Sequence, residues 1–265
     1  MRRWMALLMC VWAPFSLGLS ESRVPGGIAL IPVASNSNPS FQGRPVLTLT
    51  RDGRELAVVG LPLSLEPGNH VLETTHGPID FTVTGKRYLE QRIYLENKRQ
   101  VNPNPLDLER IKAEAQAQRD ALSRFTGQLD TVRLTLPVEG PVSSPFGKRR
   151  FFNDQPRRPH SGTDIAAPKG TPLKASGQGT VVLVGDFFFN GRLVIIDHGE
   201  GLKTMYNHMD EITVTEGQIV TQGEVIGTVG ATGRVTGPHL HFGVILNGAS
   251  VDPALLVQAI QTLPQ

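Results

Sequence analysis

Two histidines stand one residue apart in "TGPHLHFGV", residues 236–244, in a 265-residue chain that holds seven histidines in all. A strand turns successive side chains to opposite faces, so His239 and His241 share one face while Leu240 and Phe242 take the other, toward a core. Two ligands do not make a metal site, and alone the pair reads first as two exposed strand histidines. Upstream, "HSGTDIAAPKGTPL" sets His160 four residues before Asp164. In a helix that spacing puts both on one face, but Gly162 and the surrounding Ser, Thr and Pro predict a loop running into a strand. Zinc sites that do chemistry commonly take three protein ligands from histidine and carboxylate and keep a fourth position open. His160, Asp164 and one member of the H-x-H pair supply that number. Imidazole nitrogen and carboxylate oxygen suit a borderline ion, zinc above all.

One histidine of the pair is then left over, and "KTMYNHM" offers another, His208, on the strand face of Tyr206. Spare imidazoles matter to a metal hydrolase, because water must lose a proton and the tetrahedral oxyanion needs a donor. The chain has no H-E-x-x-H, so the glutamate base of the common zinc proteases is missing and histidine must fill its role. Tyr206 is balanced between lining a groove and packing a core. His198, in "DHGEG", and His70 and His76, near turns, read as structural or surface residues. Arg150, Arg157 and Arg158 lie in the basic run "GKRRFFNDQPRRPH" just before the first motif, where they could rim a groove and meet peptide carboxylates. Phe151 and Phe152 in that run should fold onto something.

The elements that must position these residues follow from the rest of the chain. "MRRWMALLMCVWAPFSLGLS" has two arginines, an apolar stretch and then small residues, the layout of a secretory signal peptide over 1–20. Without Arg2 and Arg3 the chain has 24 basic and 24 acidic residues, a balance that argues against nucleic acid. The only cysteine, Cys10, lies in that leader, so the exported chain has neither disulfides nor cysteine ligands. Met9 is a poor residue before an acylated cysteine, and no stable membrane anchor is expected after cleavage. Residues 21–103 hold short apolar runs broken by Asp52-Gly53 and Pro67-Gly68, which predicts a small antiparallel β-sandwich. Residues 104–127 predict a linking helix: Asn104 caps, Pro105 opens it, Leu108, Ile111, Ala115, Leu122 and Phe125 share a face, and Gly127 stops it. From 128 to 265, glycines recur among β-branched runs such as "GTVVLVG" and "RLVIIDHGEG", so a second, nearly all-β domain follows, with a short helix near Pro253–Thr262.

"HSGTDIAAPKGTPLKASGQGTVV", "VIIDHGEGLKTMYNHM" and "VTEGQIVTQGEVIGTVGATGRVTGPHLHFGV" resemble, in order and from about Val142 to Pro253, the lysostaphin and LytM type of zinc endopeptidase, the M23 peptidases. The N-terminal part, with "ENKRQVNP", is similar to a small domain that precedes the peptidase in some Gram-negative members. The resemblance implies a mainly β protein whose C-terminal antiparallel β-sheet domain carries the site in a groove between loops. It implies one Zn2+ per chain, held by His160, Asp164 and His241, with His208 and His239 as the catalytic pair. It further implies peptidoglycan peptides as substrate and a bacterial periplasm or envelope as location. A separate domain with no chemistry of its own, ahead of a peptidase that must not cut indiscriminately, is expected to contact the groove together with the helix and restrict access to it. All five family positions carry the expected residue type, which favours an active enzyme. The alternatives are a catalytically silent LytM-type module that binds the wall or activates another hydrolase, and an exported metal-binding protein.

Overall fold

The computed structural model describes residues 19–51, 53–127 and 133–257. Most of the expected leader and the end of the expected C-terminal helix lie outside these residues; within them, Pro253–Leu255 forms one 3-10 turn. The chain is mainly β with a single α-helix among the described residues.

The N-terminal unit is a small sandwich. Ile28–Val33, Arg54–Gly60 and Leu47–Arg51 form a three-stranded antiparallel sheet with Arg54–Gly60 in the middle. The hairpin of Gly68–Leu72 and Ile79–Val83 faces it across a core of Ala29, Ile31, Val59, Leu72 and Phe81. The runs "GIALI" and "LAVVG" are apolar throughout rather than alternating because both faces of this sheet are covered. Ala29, Ile31, Ala57 and Val59 point into the sandwich, whereas their neighbours Ile28 and Val58 join Leu246 and Val251 in the core of the C-terminal sheet. One polar clasp reinforces this junction: the buried amide of Asn247 accepts from Gly60 N–H at 2.7 Å and donates to Gly60 C=O at 3.1 Å. Leu19, buried in the same core, and Ser20, whose N–H donates to Leu255 C=O, are two residues of the expected leader that take part in the fold.

The C-terminal sheet has ten strands, seven of them in the order Ile219–Val220, Gly179–Phe187, Gly191–Gly199, Leu202–Ile212, Leu240–Leu246, Thr163–Ile165, Val142–Ser144. One face is packed by Val194, Ile196, Tyr206, Leu240 and Phe242. Against the other face, formed by Leu193, Ile195, Met205 and Ile245, lies the end of the helix Pro105–Ser123, through Ala121 and Leu122. That helix starts as expected, with Pro105 in its first turn and a capping box between Asn104 and Asp107. It stops at Ser123, before Gly127, because Arg124 is extended and its carbonyl accepts from the buried Lys203 ammonium at 2.5 Å. The expected apolar face is only partly packed: Leu108 is 54% and Phe125 43% exposed, and Leu108, Ile111, Ala115 and Leu122 line an open cleft.

One pairing differs from the sequence reading. Residues 21–103 are expected to pair among themselves in an antiparallel sandwich, yet within them Glu90–Ile93 pairs in parallel with Arg149–Phe152, which also pairs with Gln155–Pro156. Alternation marks a strand but carries no information about its partner. Ile93, Leu95 and Val101 bury Phe152 at the junction, which explains why the aromatic pair of the basic run is not left in water.

Candidate metal centre

Asp164 and His241 are direct cross-strand partners, in Thr163–Ile165 and Leu240–Leu246. Antiparallel register therefore sets two donors side by side before any loop is considered. His160 comes in from the loop before Thr163. Gly162 allows that approach, since a Cβ there would stand 2.4 Å from Phe242 C=O and 2.8 Å from His241 Nε2. The three donors converge: His241 Nδ1 is 2.7 Å and His160 Nε2 2.8 Å from Asp164 Oδ1, and the two nitrogens are 2.9 Å apart. All three residues are buried.

The donor chemistry fits a cation. His160 Nδ1 faces the Pro145 carbonyl at 2.9 Å, an acceptor only, so the ring proton sits on Nδ1 and Nε2 presents a bare lone pair to the cluster. Burial pulls His160 down to about 4, against the pull of Asp164, so the ring stays neutral. For Asp164, burial would raise the carboxyl, but the close imidazoles of His160 and His241 outweigh it and hold the carboxyl well below the usual range. Its second oxygen accepts from Arg150 at 2.7 Å. Three acceptors within contact distance, with too few protons to separate them, are the arrangement a metal ion satisfies.

His208 and His239 flank this group. Their rings are 4.9 Å apart, and His208 lies 6.0 Å from the His241 ring. His208 does not share the face of Tyr206, contrary to strict alternation. The pairing of Leu202–Ile212 with Gly191–Gly199 slips between Val194↔Tyr206 and Arg192↔Met209, and His208 has φ +65. This bulge hands the core position to Met209 and re-aims His208 at the donor cluster, a conformation that costs a non-glycine residue on the order of 1 kcal/mol or more. His208 Nδ1 donates to Thr232 C=O at 2.8 Å and His239 Nδ1 to Gly237 C=O at 2.9 Å, which leaves both Nε2 atoms bare. Burial, then the neighbouring His241 and His239, pushes His208 down to about 3. His239 Nε2 stands 3.9 Å from Asp164 Oδ1.

A cavity of about 140 Å³ is lined by Asp164, His208 and His239 together with Gln91, Ile93 and Arg234. Gln91 Oε1 accepts from Ser144 and Arg150, so the segment after the sandwich forms a wall of this space. Tyr206 is fully buried, with its hydroxyl bonded to Ser176 N–H and 3.0 Å from Thr204 Oγ1; it packs the core and does not face the cavity. His198 is buried between Gln178 C=O and Thr204 Oγ1, as the structural reading expects. His70 packs on Phe41 and Phe81, and His76 is exposed. Arg150 as the partner of Asp164, and the carbonyls that set the tautomers, were not singled out in the sequence, where no spacing marks them.

A β-sheet carrying one His/Asp/His group with two further imidazoles turned to it has the donor set of a metal-dependent hydrolase. Residues 158–253 match peptidase family M23, and residues 21–86 match the peptidase family M23 N-terminal domain. A crystal structure of a peptidase M23 from Pseudomonas aeruginosa superposes with a TM-score of 0.76 at 42% identity, covering 91% of this chain and 97% of that one. The chain belongs to peptidase family M23. It is 46% identical over 112 residues to the peptidoglycan DD-endopeptidase ShyA of Vibrio cholerae, covering 42% of this chain and 26% of that one. It is 43% identical over 124 residues to the DD-carboxypeptidase/endopeptidase Mpg of Neisseria meningitidis serogroup B, covering 47% of this chain and 29% of that one. The chain thus spans between a quarter and a third of the length of these two curated relatives.

Proposed function

We propose that the protein is an exported zinc endopeptidase that hydrolyses peptide cross-links of bacterial peptidoglycan. The observation that carries this reading is the convergence of His160 Nε2, Asp164 Oδ1 and His241 Nδ1 within 2.9 Å, beside two imidazoles whose Nε2 atoms are bare. A relative named as a peptidoglycan DD-endopeptidase supplies the substrate class.

His160, Asp164 and His241 hold the ion. When bound, zinc supplies the Lewis acid that acidifies water and polarises the scissile carbonyl. Arg150 fixes the Asp164 carboxylate through its second oxygen, and the Pro145 carbonyl fixes the His160 ring. His208 and His239 handle the proton: each can accept one at Nε2 and return it to the leaving amine, and as imidazolium each donates to an oxyanion. Their Nδ1 bonds to Thr232 and Gly237 keep both rings oriented while this happens.

Gln91 and Ile93 form one wall of the space beside Asp164, His208 and His239, and the segment holding them restricts access until it moves. Among the described residues no helix is long and apolar enough to cross a membrane. Ser16 and Gly18, three and one before Leu19, suit leader cleavage just ahead of Leu19, which would keep Leu19 and Ser20 in the exported chain. The test is to incubate the zinc-loaded protein with purified peptidoglycan and measure newly released amine termini. Release that stops with a chelator and returns with zinc is the expected result; intact cross-links with folded, zinc-loaded protein would refute the reading.

A further inference from the structure

The guanidinium of Arg234 is flanked by two aromatic rings, its Cζ 4.3 Å from the centre of Phe152 and 4.2 Å from that of Phe189. The residue lies in the loop that leads to His239, and its side chain lines the small cavity that holds Asp164, His208 and His239. The same side chain lines a second, larger cleft of about 800 Å³ between Phe189 and the unpacked apolar face of the helix. Arg234 therefore stands at the boundary between the candidate metal centre and a larger neighbouring cleft.

The charge along this boundary is one-sided. Arg119, Arg157 and Arg158 also line the larger cleft. The single acid in its lining, Glu114, has both oxygens engaged, one by Arg110 and the other by Phe188 N–H. Arg157 donates to neutral acceptors, the Val101 carbonyl and the Gln155 side chain. Arg150 already faces Asp164. Arg234 has no carboxylate partner among the described residues, only its two aromatic neighbours. Burial, with the nearby Arg150 and Arg157 charges, pulls its guanidinium down to about 10, which still leaves it cationic at neutral pH. Rings against the faces of a guanidinium restrain its plane and leave the N–H edges for a planar anion, the geometry that a carboxylate matches with two parallel hydrogen bonds.

We infer that Arg234 is a specificity residue that binds a free carboxylate of the substrate beside the scissile amide. The occupant is a peptide that carries a free carboxylate next to the amide being cut. Its chain continues along the basic, apolar-walled cleft past Arg157. This inference rests on the reading of His160, Asp164 and His241 as a peptidase centre.

The experiment uses the zinc-loaded full chain and two synthetic cross-linked peptides that differ only in whether that carboxyl is a carboxylate or a carboxamide. The wild type is expected to favour the carboxylate by about 10- to 100-fold in kcat/KM, chiefly through KM, the range of a charge-assisted bidentate contact. Arg234→Gln should bring the ratio to within about threefold of unity, and Arg234→Lys, which keeps the charge but loses the planar fork, should lie between. Zinc content and circular dichroism are read on each sample, and if Arg234→Gln fails to fold, the Arg234→Lys ratio decides. Equal wild-type rates on the two peptides, or a ratio that neither substitution lowers, would overturn the inference while leaving the peptidase reading intact. Cleavage of neither peptide nor peptidoglycan by folded, zinc-loaded protein would take down both.

Discussion

Replacing His241 by alanine should empty the metal centre, whereas replacing His239, its neighbour but one, should leave the centre filled and silence it. Distances separate the two residues. His241 Nδ1 lies 2.7 Å from Asp164 Oδ1 and 2.9 Å from His160 Nε2, inside the donor cluster, while His239 Nε2 stands 3.9 Å from the same oxygen. His241→Ala removes one donor of three, so affinity must fall by more than the roughly 10- to 100-fold that loss of an outer-shell partner costs. His239→Ala and His208→Ala remove no donor, and their cost falls on the proton steps. A positioned acid or base is worth on the order of 10² to 10⁴ in rate, about 3–5 kcal/mol of barrier. Metal content after dialysis against a weak competing chelator, measured beside turnover and circular dichroism on the same samples, reads both quantities. About one ion per chain is expected in the two base variants, and less than a tenth of that in His241→Ala and Asp164→Ala. Zinc loss in His239→Ala with retention in His241→Ala would show the roles reversed, and full turnover in His208→Ala would remove His208 from the chemistry.

Three further outcomes are expected. Asn247→Ala strips the partners from both polar groups of buried Gly60, and at about 1–3 kcal/mol for each group left unpaired it should cost about 2–6 kcal/mol in urea denaturation; a loss below about 0.5 kcal/mol would mean that the clasp does not hold the sandwich to the sheet. Burial lowers the pKa of His198 in the fold, so its contribution to stability is present above the unfolded value near 6.5 and is lost as pH falls below it. His198→Gln should flatten the dependence of stability on pH between 7 and 5 by up to about 1.4 kcal/mol per pH unit, and an unchanged slope would show that His198 titrates alike in both states. Cysteines at the paired positions Glu90 and Arg149, in a chain whose only native cysteine is Cys10, can pin the Gln91 wall in place. The oxidised form should hydrolyse more slowly than the reduced form, and equal rates would show that the segment need not move.

Much of the candidate site is legible in the sequence because its parts are local. H-x-H on a strand and a histidine four residues ahead of an aspartate bring His160, Asp164 and the pair His239 and His241 into view, and the choice of His241 as the ligand rests on the resemblance to M23 peptidases. The start of the helix is local as well, written in Asn104, Pro105 and Asp107. The fold class follows from the same short-range patterns, apolar runs punctuated by turn residues.

What the sequence left open depends on contacts between distant residues. Alternation assigns His208 to the face of Tyr206; only the slip against Gly191–Gly199, which seats Met209 in the core, turns His208 to the His160, Asp164 and His241 cluster. Tyr206 is balanced between groove and core until Ser176 N–H and Thr204 close over its hydroxyl. The strand Glu90–Ile93 reads as one more N-terminal strand, and its partner, some sixty residues on, is chosen by burial of Phe152 and by the Gln91–Arg150 bond. Residue types and spacing along a strand determine which chemistry a chain can do, because alternation is a property of the backbone. Register, bulges and strand partners are set by which apolar surfaces fit together, and that is decided only when the whole chain packs.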